Sequence, residues 1–221
     1  MGADLWSDVE DDPFPPEVRT LHEVDLRPGQ SSPLLFRRDL LEVTLVLEGR
    51  LAIVDDLGSG EGRAKGAVHV ASYGTGLALR RFNESMKEPV HFLRFCLPQG
   101  GGEKRASSVW SSPEANVYDH DAFEEVLLPV ANEDDLRSPR PEAQMTISFG
   151  SIRPNLELVH TFPEDSTGYL VLVSGSAQVV TRGDEGTVDA GGACGFIDEA
   201  KFTIRTKSPR AQAMLLTFRA P

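Results

Sequence analysis

The stretch from Val43 to Gly62 is "VTLVLEGRLAIVDDLGSGEG", and the stretch from Tyr169 to Val188 is "YLVLVSGSAQVVTRGDEGTV". Each contains an alternating apolar run, a glycine, a second alternating run and an acidic turn that contains glycine. Alternation with a period of two places the apolar side chains on one face of a β-strand. Each stretch therefore predicts two successive β-strands with a turn between them.

These stretches belong to an internal repeat with a constant spacing of 126 residues and no gap between 27–81 and 153–207. Most of the identical residues are Gly or Pro at predicted strand boundaries, where the backbone conformation is most restricted. We therefore interpret the chain as a duplication that forms two similar β-barrels. The identical pairs are Arg27/Arg153, Pro28/Pro154, Gly49/Gly175, Val54/Val180, Gly60/Gly186, Gly66/Gly192 and Ala67/Ala193.

The chain of 221 residues has a formal net charge of −12. This charge repels the phosphate backbone of nucleic acids and anionic membrane surfaces. No apolar run approaches the roughly 20 residues that span a bilayer, and the acidic N-terminus lacks a signal-peptide pattern. The two cysteines are too few for a disulfide framework. We expect a cytoplasmic protein that contacts neither nucleic acid nor membrane.

Changes in composition divide the chain into four parts. We predict an acidic N-terminal arm at 1–20, a first barrel at 21–98 and a second barrel at 144–221. The segment 99–143 between the barrels is rich in Gly, Pro and polar residues. Such a composition is typical of a linker, and we expect its short elements to pack between the barrels.

The first barrel contains a pattern that resembles the pirin family of bicupins. The pattern is "RPG…LEVTLVLEGRLAIVDDLG…GAVHVASYGTG…VHFLRFCLP". The resemblance implies an all-β fold of two tandem cupin barrels, of the double-stranded β-helix or jelly-roll type, with few short helical segments. The residues that match the family pattern are Thr44, Leu47, Gly49, Asp56, Leu57, Gly58, Gly74, Gly76, Leu97 and Pro98.

In pirin-like enzymes three His and one Glu of the first barrel hold an Fe(II)-type ion. The resemblance places these four ligands at Leu35, Arg37, Leu79 and Arg81 of this chain. Neither an aliphatic side chain nor a permanently charged guanidinium can replace a neutral imidazole or a carboxylate. The prediction is therefore a protein with no metal, no other cofactor and no catalytic residue at this site.

The second barrel offers no replacement set of metal ligands. With the fixed spacing, its residues at the four ligand positions are Thr161, Pro163, Arg205 and Lys207. His160 falls one residue away from the position of Leu35, which on a strand is the opposite face. A metal site built from His160 and Glu164 is one alternative, and we expect instead a histidine at the surface or at a strand end.

The two arginines at ligand positions suggest a binding site for a small anion. If Arg37 and Arg81 both point into the barrel, their guanidinium groups can clamp a carboxylate or a phosphate. The alternative, which we favour, places both arginines at the rim, paired with Asp39, Glu42 or Glu84. Leu35, Arg37, Leu79 and Arg81 together form the candidate ligand site at the mouth of the first barrel.

Cys96 shares one face of the strand "HFLRFC" with Arg94, while Leu93 and Phe95 share the other face. A neighbouring arginine can make a thiol oxidisable, so Cys96 is a candidate redox thiol. A free cysteine within a strand is more often a small buried apolar residue, and we favour that interpretation. Cys194 lies at a glycine-rich strand entry, and whether it reacts stays open.

The favoured function is a metal-free binding or regulatory module without oxygenase activity. Its partner is expected to be a small anionic molecule or another protein, and the chain a monomer or a weak homodimer. The alternative is a cupin-type enzyme, either a dioxygenase of the quercetin-cleaving kind or an isomerase without metal. An isomerase needs an acid or base in the lumen, for which Glu42 and Asp39 are the nearby candidates.

Overall fold

The computed structural model describes residues 20–58, 60–98, 105–111, 122–126 and 144–219. Within these ranges the chain forms β-strands joined by turns. The predicted all-β fold is confirmed, but the short helical segments that we expected are absent from the described residues. No helix there is long and apolar enough to cross a membrane. The acidic arm at 1–20 lies outside the described ranges, apart from Thr20.

Strands of the first half form two antiparallel sheets. One sheet has the order β1-β8-β3-β6-β9 and the other the order β2-β7-β4-β5. The strands are β1 (Thr20–Leu26), β2 (Leu35–Arg37), β3 (Leu40–Glu48), β4 (Arg50–Asp55), β5 (Arg63–Ala64), β6 (Val68–Ser72), β7 (Leu77–Asn83), β8 (Val90–Pro98) and β9 (Ser107–Ser111).

Strands of the second half repeat the order of eight of these strands, whereas the ninth strand is added at the opposite edge of the larger sheet. Their two sheets have the orders β10-β11-β18-β13-β16 and β12-β17-β14-β15. The strands are β10 (Phe123–Val126), β11 (Gln144–Ile152), β12 (Glu157–Thr161), β13 (Ser166–Ser174), β14 (Ser176–Val180), β15 (Glu185–Asp189), β16 (Ala193–Phe196), β17 (Lys201–Thr206) and β18 (Ala211–Arg219).

Each half is a barrel whose two sheets enclose a lumen. An apolar cluster that includes Leu51, Ile53 and Leu79 lies between the sheets of the first half. A second cluster that includes Phe202 and Ile204 lies between those of the second half. The two-barrel cupin fold predicted from the repeat is therefore confirmed.

The barrels pack against each other through their larger sheets. One apolar cluster combines Val43 and Leu45 of β3 with Tyr169 of β13 and Leu216 of β18. Because both faces of β3 are covered, its inner and outer residues are buried alike. The apolar residues of the repeat thus do not all face one core: Val43 and Leu45 face the other barrel, whereas Leu51 lies in the first lumen.

The described parts of the predicted linker are strands of the two larger sheets. β9 pairs with β6 of the first barrel, and β10 pairs with β11 of the second. Burial of Trp110 on β9 and Phe123 on β10 against the neighbouring apolar clusters explains why these strands stay attached to their sheets. The rest of 99–143 lies outside the described residues.

The duplication is visible in the turns between equivalent strands. Gly49 joins β3 to β4 and Gly175 joins β13 to β14, with φ angles of 76° and 82°. A Cβ atom at either glycine would lie 2.5 or 2.6 Å from a backbone oxygen, that of Pro89 or Arg210. Only glycine avoids both the contact and the left-handed backbone penalty, so the chain has kept it twice.

The prediction of a gapless repeat is wrong beyond these turns. Gly66 donates its N–H to Val46, and Gly191 donates its N–H to the equivalent Leu172, so the spacing there is 125 and not 126. The cause is a connection that is one residue shorter in the second barrel.

The spacing falls again before β17. Ile53 of β4 is paired with Arg81, whereas the equivalent Val179 of β14 is paired with Ile204, a spacing of 123. A shift of one or three residues along a strand moves a side chain to the opposite face of the sheet. Residues of β7 and β17 that a spacing of 126 would align therefore lie on opposite faces of their sheets.

Candidate functional site

Polar side chains enter the first lumen from β3 and β8. Glu42 and Thr44 of β3 lie opposite Cys96 and Arg94 of β8 in the sheet register. Their sequence neighbours Val43 and Phe95 belong to the core between the barrels. Since side chains alternate along a strand, Glu42, Thr44, Arg94 and Cys96 share the inner face.

The four predicted ligand-site residues come from β2 and β7. Leu35 is paired with Leu79, and Arg37 is paired with Leu77. Leu79 and Arg81 are fully buried, whereas Leu35 and Arg37 are half-buried. All four lie on the inner face of their sheet, since Leu77, Leu79 and Arg81 alternate with more exposed residues along β7.

Arg81 lies inside the barrel and not at the rim, where we favoured it. Its side chain is 1% exposed, and its Nη2 contacts Oε1 of Glu42, which is equally buried. Glu84, another predicted rim partner, pairs instead with Arg50 at 3.0 Å. The interior position follows from the alternation of β7, because Arg80 takes the outward place and bonds to Ser31.

Glu42 is the centre of the buried network. Besides Arg81, its Oε2 lies 3.9 Å from Nε of Arg94. The Cys96 thiol donates to the same Oε2 at 3.7 Å. The sequence interpretation named Glu42 only as a rim partner or an uncertain base. The period of two that links Glu42 to Thr44, and Cys96 to Arg94, is the signal that places them together.

The lumen carries more positive than negative charge. Burial, and then the nearby Arg94 and Arg37, lower the pKa of Arg81 to about 9, so that Arg81 is still charged at neutral pH. Burial and the neighbouring Cys96 raise the pKa of Tyr73 to about 12, so its hydroxyl keeps its proton. Arg81 and Arg94 therefore lie beside the Glu42 carboxylate, with Arg37 near Arg81, and Asp55 is a second buried carboxylate of the same barrel.

Several buried polar atoms of this lumen have no hydrogen-bond partner among the described residues. They include Nε and Nη1 of Arg81, the Tyr73 hydroxyl, Thr44 Oγ1, His69 Nδ1 and Trp110 Nε1. Buried polar groups in folded proteins are satisfied in more than about nine cases in ten. These unpartnered donors and acceptors are the groups of this lumen that a small polar ligand could bind.

His69 lies beside this network on β6, opposite Thr44. Its Nε2 is 2.7 Å from the Ser108 hydroxyl. The rings of His69 and Trp110 pack edge to face, with their centroids 4.8 Å apart. Burial lowers the pKa of His69 to about 4, with Asp55 acting in the opposite direction. His69 is therefore neutral at pH 7.

A metal ion does not fit the residues at the ligand positions. Leu35 and Leu79 have no lone pair, Arg37 and Arg81 only donate, and the Glu42 carboxylate is bound to Arg81. Within the part of the chain that the structure describes, no group of three or more His, Cys, Asp or Glu side chains could hold a metal.

The equivalent positions of the second barrel differ from those expected. Sheet pairing makes His160 and Phe202 the counterparts of Leu35 and Leu79, and Ile204 the counterpart of Arg81. The backbone N–H of Phe162 donates to the carbonyl of Ala200, just as Arg37 is paired with Leu77, so Phe162 is the counterpart of Arg37. The prediction of Thr161, Pro163, Arg205 and Lys207 at these positions was wrong, because it relied on the constant spacing.

His160 is half-buried in an aromatic cluster and is the penultimate residue of β12, in line with the expected strand-end position. Its ring contacts those of Phe123, Phe162 and Phe202 at centroid distances of 5.7, 5.0 and 5.5 Å. Burial lowers its pKa, so the ring is neutral at pH 7. Glu164, its proposed co-ligand, is exposed.

Arg205 and Lys207 are exposed and line a cavity of about 580 Å³ at one end of the smaller sheet. Arg205 lies on the outer face of β17, where its Nε donates to Gln178 at 2.6 Å. This cavity is therefore separate from the lumen positions to which the constant spacing had assigned both residues.

The two thiols have different surroundings. Cys96 is 2% exposed, and its thiol donates a hydrogen bond to Glu42. Cys194 on β16 is half-buried beside the apolar cluster of the second barrel. Burial raises its pKa to about 11.

Comparison with known proteins supports the fold. No protein-family model matches the chain. A protein of Zymomonas mobilis, provisionally named a quercetin 2,3-dioxygenase, is 24% identical over 201 residues, which are 90% of this chain and 82% of that protein.

Among solved structures, YhhW of Escherichia coli has a TM-score of 0.74 at 20% identity and covers 93% of this chain and 82% of its own. A second YhhW structure, described as a bacterial pirin in complex with nickel(II), has a TM-score of 0.73 at 19% identity, with coverages of 93% and 83%. Quercetin 2,3-dioxygenase from Acinetobacter baumannii has a TM-score of 0.72 at 14% identity, with coverages of 92% and 75%. The resemblance to the pirin-like bicupins is thus confirmed at the level of the fold.

Proposed function

We propose that this bicupin is a binding module whose first barrel takes up a small anionic molecule, and that it has no metal-dependent oxygenase activity. The observation that carries this proposal is the buried Arg81, which has two unsatisfied donors among the described residues. It occupies a position where the pirin resemblance expects a metal-ligating carboxylate.

The charge of the lumen supports an anionic ligand. Arg37, Arg81 and Arg94 lie close enough to influence the same buried groups, and the buried carboxylates of this barrel among the described residues are Glu42 and Asp55, one fewer than the guanidinium groups. A planar guanidinium offers paired donors that match the oxygens of a carboxylate or phosphate. In a chain with a net charge of −12, such a local excess of positive charge favours uptake of an anion.

Glu42 acts in this proposal as the internal counter-ion of the empty state. A buried guanidinium without any partner would be costly, and the Glu42 carboxylate offsets this cost. An incoming anion would bond to the free Nε and Nη1 of Arg81 and leave the contact between Nη2 and Glu42 in place.

The test is isothermal titration of acetate and of phosphate into the full chain in a chloride-free buffer. The wild type should bind at least one of them. Glu42→Gln/Arg81→Met, which removes both buried charges together, should abolish binding, and Arg37→Met should weaken it. Arg80→Met is the matched control, because Arg80 lies on the outer face of the same strand. Equal heats in all four proteins, or none in the wild type, would refute the proposal.

A quercetin-cleaving dioxygenase is the second candidate, because relatives of similar fold carry that name. It requires a transition-metal ion, for which the four ligand-position residues are unsuited. Elemental analysis of the protein after incubation with iron, nickel or copper, followed by a quercetin-turnover assay, separates the two candidates. We expect neither stoichiometric metal nor turnover; both together would establish the dioxygenase.

A further inference from the structure

Cys96 is the buried nucleophile that the proposed anion site does not use. Its sulfur lies 3.7 Å from Oε2 of Glu42, the carboxylate that also contacts Arg81 and approaches Arg94. A carboxylate in this position can accept the thiol proton. The thiolate that results would stand beside two guanidinium groups.

An independent feature indicates that a small polar molecule enters beside this thiol. The Tyr73 side chain is fully buried, and its hydroxyl has no partner in the described ranges. The hydroxyl is close enough to Cys96 for the sulfur to influence its ionisation. Arg81 adds two further unsatisfied donors near the same sulfur.

We infer that Cys96 is a peroxide-reactive thiol, for which Glu42 accepts the proton and the donors of Tyr73 and Arg81 hold the oxidant. The Cys96 sulfur attacks one oxygen of hydrogen peroxide, and the O–O bond breaks. The second oxygen leaves as hydroxide and takes the proton from Glu42 to become water. Sulfur is oxidised to the sulfenic acid while the peroxide is reduced.

The burial of Cys96 sets the size of the oxidant. With 2% of the residue exposed, only a molecule close to the size of water can reach the sulfur through ordinary fluctuations of the barrel. Hydrogen peroxide meets this condition, whereas bulky thiol reagents do not. Cys96 therefore reacts selectively because of both its charged neighbours and its seclusion.

Cys194 provides a control within the same chain. It is more accessible than Cys96, but no described residue gives it a hydrogen-bonding carboxylate, and burial raises its pKa to about 11. If access alone governed oxidation, Cys194 would react first. If the neighbouring charges govern it, Cys96 reacts first.

The experiment treats the folded protein with hydrogen peroxide for set times, removes the excess peroxide with catalase, and then unfolds the protein in dimedone, which traps sulfenic acid, so that peptide mass spectrometry can follow both thiols. In the wild type, Cys96 should be modified about tenfold faster than Cys194 or more, which corresponds to at least 1.4 kcal/mol in activation free energy. With iodoacetamide the order should reverse, because that reagent is too large for the lumen. Equal or faster peroxide oxidation of Cys194 would overturn the inference.

Two variants test the roles of the neighbours. Glu42→Gln should slow oxidation of Cys96 about tenfold and leave Cys194 unchanged. Because this variant leaves Arg81 without its counter-ion, Tyr73→Phe is the safer second test: it removes only an unsatisfied hydroxyl and should preserve the fold. An unchanged rate at Cys96 in a folded Tyr73→Phe protein, together with an unchanged rate in Glu42→Gln, would also overturn the inference.

Discussion

The two barrels share the order of eight strands but differ in the chemistry of their interiors. Among the described residues, the buried polar side chains of the first barrel include the ion pair of Glu42 with Arg81, the carboxylate of Asp55 and the neutral ring of His69. Those of the second barrel all carry hydroxyls, such as Ser148 and Thr206. The second lumen is filled instead by aromatic rings, with Phe196 stacked on Phe202 at 4.5 Å.

This difference teaches that the cupin fold requires a filled lumen but does not specify how it is filled. The turns at Gly49 and Gly175 and the pairing of the sheets are kept in both barrels. The inner face of β7 carries Arg81 at the position where its counterpart β17 carries Ile204. The buried charged side chains that the structure describes therefore lie in the first barrel, and a shared fold does not by itself determine what each barrel does.

The largest expected effect distinguishes the charged interior from the apolar one. Glu42→Ala should lower the free energy of unfolding by about 3–5 kcal/mol, because it leaves the Arg81 charge buried without its counter-ion. The measurement is urea denaturation at neutral pH.

The matched control is Glu42→Gln/Arg81→Met, which replaces the pair by groups of similar volume. It should recover most of the stability, because removing both buried charges also removes the cost of keeping them out of water. A loss as large as that of the single variant would contradict this account and would mean that the network is needed for packing.

The sequence predicts the fold of each barrel well but its inner face only in part. Alternation along "HFLRFC" assigned Arg94 and Cys96 to one face, as the structure has them, because a strand fixes its own period. The positions around His160 were misassigned, because register between distant strands depends on loop lengths, and these changed after the duplication. Glu42 was one of three candidate partners named for the two arginines, and it does contact Arg81; the sequence could not select it, because β3 and β7 lie in different sheets.

A second effect, on the pH dependence of stability, comes from His69, whose position in the other barrel is not occupied by a histidine. Its folded-state pKa is about 4, below its ordinary 6.5, so in the interval between them the unfolded chain binds a proton that the folded chain does not. Stability should therefore fall as the pH falls from about 6.5 to about 4, by about 3 kcal/mol at most. Comparing the pH dependence of urea unfolding with that of His69→Phe isolates this contribution. Identical curves would mean that His69 becomes charged without unfolding.

A third effect should be equal in the two barrels. Gly49→Ala and Gly175→Ala each place a Cβ on a left-handed backbone and against a backbone oxygen. Each should lower the free energy of unfolding by about 2 kcal/mol. Thermal and chemical denaturation of both variants checks this expectation. A cost at only one of the two turns would show that the turns are not equivalent.

The smallest effect concerns the ion pair of the second barrel, Arg205 with Glu185. The atoms are 3.5 Å apart, and the side chains are 48% and 50% exposed. Water screens such a pair, so Arg205→Ala should change stability by less than about 1 kcal/mol, and added salt should reduce the change further. The same measurement on Arg81, the buried partner of Glu42, should give several times this value, although the constant spacing had assigned Arg205 to a lumen position as well, that of Leu79. A loss at Arg205 that equals the loss at Arg81 and resists salt would place Arg205 inside the barrel and restore the gapless repeat.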